Sequence, residues 1–210
     1  MPEMKLSTLA VILGLVLAVF NGYGFLKPAA FAAAARKFPR YTPVGVVLTL
    51  LATVWFLYNL SLESVSDFIS FKPALFGLFA AVGLGTCIFV RDYLPVRGLA
   101  VVALLLAKLM VDTARWVDTP WRLVIVIWAY VMVLGGMWFT ISPWRLRDLI
   151  NWSTANEKRT RLSCGMRLAF GVFVILLGLT AFRAAEQKGP TPVDASSFAP
   201  LRAPIVAIPA

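Results

Sequence analysis

Two oppositely charged side chains, Lys108 and Asp112, stand inside an otherwise apolar stretch of this sequence. Their i, i+4 spacing puts them on one face of a helix about one turn apart, where they can pair. Within a bilayer such a pair could relay a proton or an ion, or Lys108 could hold a substrate carboxylate. Either charge alone at the bilayer centre costs about 2.5–3.5 kcal/mol on insertion scales, and pairing or water lowers that cost. A buried structural pair explains the same spacing, as does a helix ending near Asp112 from which Lys108 reaches the interface. Arg115 and Asp118, which follow closely, favour these simpler readings.

A second group of chemistry-bearing residues is basic. Arg145, Arg147, Lys158, Arg159 and Arg161 fall between two apolar runs, and Arg91 and Asp92 precede another. Together with Asp148 they could clamp a phosphate or a lipid headgroup. Anchoring at the membrane interface is the commoner role of such clusters.

Other chemistries lack their residues. There is no histidine, which removes bis-histidine haem ligation, most zinc, copper and di-iron sites, and triads with a histidine base. Cys87 and Cys164 are far apart and neither belongs to a CxxC pair, so no disulfide, metal or redox site is expected. Gly83-Leu84-Gly85 lies in an apolar run and reads as helix packing, not as a phosphate loop. Asn59-Leu60-Ser61 sits at a membrane edge and Asn151-Trp152-Ser153 on the expected cytoplasmic side, so neither is expected to be glycosylated. No enzyme, cofactor or metal is therefore predicted.

The elements that must carry these residues follow from hydropathy. The chain has 210 residues, 60% of them hydrophobic and only 14% charged, whereas soluble domains carry about 25% charged residues. A hydrocarbon core about 30 Å thick needs about 20 helical residues, because lipid offers backbone groups no hydrogen-bond partner. Six runs approach that length, near 6–26, 44–62, 73–90, 97–115, 121–141 and 165–182. The fold class expected is an all-α integral membrane protein. It is a six-transmembrane-helix bundle over residues 1–183, with one or two short interfacial helices and a disordered tail over 184–210.

The first run resembles a signal peptide, but its small-x-small site, Ala30-Phe31-Ala32, lies well past the apolar stretch among Lys27, Arg36, Lys37 and Arg40. Positive charges there resist translocation, so a retained helix is expected. The segment from Pro28 to Pro39, alanine-rich with a basic end, predicts one interfacial helix, with Phe31 and Phe38 dipping inward. Pro143 to Trp152, where Trp144, Leu146, Leu149 and Ile150 alternate with charges, predicts another. In the third run Gly77, Ala81 and Gly85 recur at four-residue steps, a stripe expected to pack against another helix of the same chain. The fourth run is the least secure, because only about ten apolar residues, from Gly98, precede Lys108. Proline, alanine and serine dominate beyond Arg183, so the tail is expected to be extended.

Charge then orients the bundle. The loops after the first, third and fifth runs hold eleven lysines and arginines against seven on the other side, three of those in the tail. The positive-inside rule places the richer side in the cytoplasm and both termini outside it. The +10 net charge sits in short clusters beside apolar runs, so lipid headgroups are the expected partner and nucleic acid is not. The placement expected is a bacterial inner membrane. The function expected is that of a structural or accessory membrane component, with a membrane-protein partner or a second copy of the chain. A small-solute or ion transporter component using Lys108 and Asp112 is the alternative, and a lipid-modifying enzyme resting on the cytoplasmic arginines is a weaker one.

Overall fold

Every long apolar run becomes one long helix in the computed structural model, which describes residues 4–62, 71–90 and 92–188. The helices in chain order are α1 (Leu6–Leu26), α2 (Pro28–Lys37), α3 (Thr42–Leu62), α4 (Lys72–Phe89) and α5 (Leu94–Ala114). There follow α6 (Arg122–Ile141), α7 (Trp144–Ser153), α8 (Glu157–Leu177) and α9 (Arg183–Lys188). A 3-10 turn at Phe38–Arg40 joins α2 to α3, and a π turn at Gly178–Phe182 lets α8 run on into α9. Among the described residues there is no strand, and six helices are long and apolar enough to cross a membrane. The acidic turn at Glu63 and Asp67, Arg91 and the proline-rich tail after 188 lie outside the described residues.

Short α2 and α7 occupy the places expected of interfacial helices. Phe31 of α2 is buried and Phe38 partly so, the Phe31 ring lying edge-on to Phe20 of α1 with centroids 5.3 Å apart. Arg36 of α2 donates from Nε to the Thr154 hydroxyl at 3.1 Å and from Nη2 to the Thr154 carbonyl. One guanidinium thus ties α2 to the end of α7. At the opposite face Ser7 of α1 donates its backbone N–H and its hydroxyl to the Glu186 carboxylate of α9, at 2.9 and 2.7 Å. That carboxylate satisfies an N–H in the first turn of α1, at the positive end of the helix dipole. The start of α1 and the end of α9 therefore share one face, and α2 and α7 share the other.

Two pairs of helices approach closely. The antiparallel α1 and α8 cross where Gly14 meets Gly171, and a Cβ on Gly14 would stand 2.7 Å from the Gly171 carbonyl oxygen. Backbone contact of this kind supplies the van der Waals attraction that apolar burial cannot supply in lipid. Near the terminal face a filled core unites Leu6, Leu9 and Ala10 of α1, Ala107, Met110 and Ala114 of α5, Ile125 and Ala129 of α6, and Val174 and Leu177 of α8. Helix α5 packs along α3 on one side and α6 on the other, while α4 lies against α3 at the edge of the bundle.

Three boundaries differ from the hydropathy reading. Helix α5 begins at Leu94 with Pro95 in its first turn, a position where proline's missing N–H is harmless. Fourteen helical residues therefore precede Lys108, and the fourth run becomes a helix long and apolar enough to cross a membrane. Helix α8 begins at Glu157, so Lys158, Arg159 and Arg161 stand on its first turns and not in a loop. Hydropathy registers only the part of a helix that lies in lipid, and these polar turns project from it. The chain also stays helical from Arg183 to Lys188, which carries helix past residue 183 into what composition assigned to the tail.

Among the described residues, the expected small-residue stripe packs against no other helix. A Cβ on Gly77 would meet nothing within 4 Å, and one on Gly85 only Phe89 of its own helix; Ala81 is exposed. The neighbouring face of α4 packs instead, through Gly83 against the Thr53 side chain and Phe79 against Phe56 at 4.7 Å between centroids.

Candidate functional site

Lys108 and Asp112 form the expected ion pair, with Nζ to Oδ2 at 2.9 Å. It lies on the outer surface of α5, the two side chains 48% and 56% exposed, and does not face the apolar core. Asp112 stands two residues before the end of α5, and Lys108 one turn deeper. At 1.5 Å per residue these depths are about 3 and 9 Å from the helix end. The pair is thus a helix-end feature with Lys108 reaching towards the interface, as amphipathic lysines do.

The basic residues do not converge on one point. Arg147 donates from Nη1 to the Tyr93 hydroxyl at 3.2 Å and from Nε and Nη2 to Asp148 at 3.2 and 3.0 Å. The hydrogen bonds to Asp148 push its guanidinium above the ordinary arginine value, so it stays charged. Tyr93 adopts a left-handed backbone at φ 54° immediately before α5, uncommon for a bulky residue. That turn aims its ring at α7. Arg159 lies over the Trp152 ring at 5.4 Å, while Arg145, Lys158 and Arg161 are exposed. This face is a dispersed basic and aromatic collar that also carries Trp138 and Trp144, and Trp116 and Trp121 stand at the other ends of the spans. Such placement fits two membrane–water interfaces.

A cleft of about 270 Å³ between α3, α4 and α5 brings together residues that no sequence pattern had joined. Arg97 lines one end with Thr86, followed by Thr49, Thr53 and Gly83, and Phe56 and Phe79 form the other end. Val82 and Val101 stand at its rim, 56% and 38% exposed, so the cleft opens on the lipid-facing surface. The Thr53 and Thr86 hydroxyls bond the carbonyls four residues earlier, at 2.8 and 2.7 Å. Thr49 Oγ1 and Arg97 Nε are buried without a hydrogen-bond partner, and among the described residues no carboxylate pairs with Arg97. In the sequence Arg97 counts among the basic residues between the third and fourth runs, at the first position of the fourth. The available signal was Pro95, which marks a helix start and so moves Arg97 into the helix.

A second cleft, between α1, α6 and α8, has apolar walls of Leu17, Val124, Ile127, Trp128, Val131 and Phe170, with Arg167 at its edge. Arg167 is exposed, and no unpartnered buried atom lines this cleft. Both cysteines carry free thiols. Comparison with protein families, curated proteins and solved structures found no match.

Proposed function

We propose that this chain is a structural or accessory component of a membrane assembly, working through its surfaces and not through an internal site. The observation that carries this reading is the position of the Lys108–Asp112 pair on the outside of α5, half exposed. A relay or a permeation path needs polar groups in register through the bundle. Among the described residues the buried polar side chains Ser7, Asn21, Thr49, Thr154 and Thr160 are scattered over different helices and depths. Between them lies the filled apolar core of α1, α5, α6 and α8. An ion pair on the outer surface near the end of α5 is also a ready polar contact for a neighbouring helix, since polar pairs across helices help membrane proteins associate.

The host membrane in this reading is a bacterial inner membrane. The α2–α7 face is cytoplasmic, because it carries the greater share of lysine and arginine. The test is recovery of the tagged chain in mild detergent with mass spectrometry of accompanying proteins. A membrane-protein partner, or a second copy of the chain, is expected to co-purify. The double variant Lys108→Leu/Asp112→Leu should lose it while keeping the helical content and melting profile of the parent. Recovery only as a lone monomer would count against this function, and a solute flux abolished by the double variant would favour transport instead.

A further inference from the structure

We propose that the cleft between α3, α4 and α5 is a binding site for one anionic phospholipid. Its phosphate sits at Arg97, within reach of the unpartnered Thr49 hydroxyl, and an acyl chain runs along Phe56 and Phe79.

The first support is the match between depth and polarity. Arg97 is three residues from the start of α5 and Thr86 three residues from the end of α4, which puts both about 4–5 Å inside the helix ends, at headgroup level. Phe79 is ten residues from that same end of α4, about 15 Å inside it and so about 10 Å deeper than Thr86, in hydrocarbon. The cleft is thus polar where a lipid is polar and apolar where a lipid is apolar.

The second support is the unsatisfied charge. A guanidinium half-buried at this depth, with Nε buried and no carboxylate partner among the described residues, is costly unless an anion answers it. Its planar fork suits two phosphate oxygens at once. Thr49 is also more than nine-tenths buried, with a hydroxyl that forgoes the backbone bond its neighbours Thr53 and Thr86 make.

The third support is size and access. At about 270 Å³ the cleft falls just below the ~300–1,000 Å³ of sites that enclose a whole small molecule. It suits a ligand that leaves most of its body in the bilayer, and the exposed rim at Val82 and Val101 lets one enter sideways. These features commit the site to a lipid and not to free phosphate, which would have no reason to meet Phe56 and Phe79. The basic α2–α7 face puts it in the leaflet on that side.

Native mass spectrometry of the full chain, titrated in mild detergent with phosphatidylglycerol or phosphatidylcholine, tests the proposal. One phosphatidylglycerol should bind saturably per chain, about tenfold more tightly than phosphatidylcholine, as a charge-assisted contact predicts. Arg97→Gln, and separately Val82→Trp at the exposed rim, should each lower occupancy about tenfold, the first by removing charge and the second by filling the mouth. Arg159→Gln on the collar should change nothing, and millimolar inorganic phosphate should not displace the lipid. Unsaturable binding, equal binding of the two lipids, displacement by phosphate, or undiminished occupancy in both cleft variants would overturn it. None of these outcomes depends on whether a protein partner co-purifies.

Discussion

Ser7 and Glu186 show how much a single pair of residues contributes to this fold. They are 179 positions apart, yet the Glu186 carboxylate accepts two hydrogen bonds at the first turn of α1, where helix N–H groups have no partner of their own. Lys5, at the N-cap position, offers no side-chain bond, so the cap comes from the far end of the chain. Glu186→Ala should therefore cost about 1–2 kcal/mol, the scale of a lost N-cap. Thermal unfolding in detergent should show a lower midpoint, with Glu186→Gln, which keeps an acceptor, falling between the two. An unchanged midpoint for Glu186→Ala would mean that the contact holds no stability. Composition could not have found this residue, because it lies among small and polar residues that resemble the tail.

Helix packing reverses one expectation drawn from spacing. A regular stripe of small residues on α4 predicts a contact face, but Gly77 meets no other helix. The close crossing is made by Gly14 of α1 and Gly171 of α8, two isolated glycines on runs far apart in sequence. Gly14→Leu and Gly171→Leu should each destabilise the bundle by about 2–3 kcal/mol or more, because the added atoms meet backbone that cannot move aside. Gly77→Leu and Gly85→Leu should stay within about 0.5 kcal/mol of the parent, as surface changes usually do. Midpoints of thermal or denaturant unfolding in one detergent would separate the two sets. Equal losses in both would restore the stripe as a packing face.

Across the whole molecule, the two faces of the bundle carry different chemistry. The face of α2 and α7 holds the collar of arginines and tryptophans, and the opposite face holds the joined ends of α1 and α9. With Cys87 and Cys164 first replaced by serine, Asn151→Cys on α7 should react with an impermeant maleimide only after the membrane is opened. Asp118→Cys, between α5 and α6, should react in intact cells treated to admit the reagent to the outer side. The reverse pattern would invert the orientation, and labelling of both positions from one side would break the six-span topology.

Local chemistry determined the six long apolar helices, the two short helices beside them and their basic and aromatic dressing, because each depends on the hydropathy and length of one segment. The end of α5 was nearly legible as well, since Lys108 and Asp112 declared their own pairing and the charges that follow marked the interface. Which faces of the helices meet was decided only by tertiary structure, and so were the outward turn of that ion pair, the Ser7–Glu186 cap and the assembly of Arg97 with three threonines. In water a buried helix face is marked by apolar periodicity, but lipid is as apolar as a protein core. A membrane helix can therefore turn almost any side inward without a trace in its pattern. The contacts that choose the side are shape and a few polar atoms, and these become visible only when distant segments are brought together.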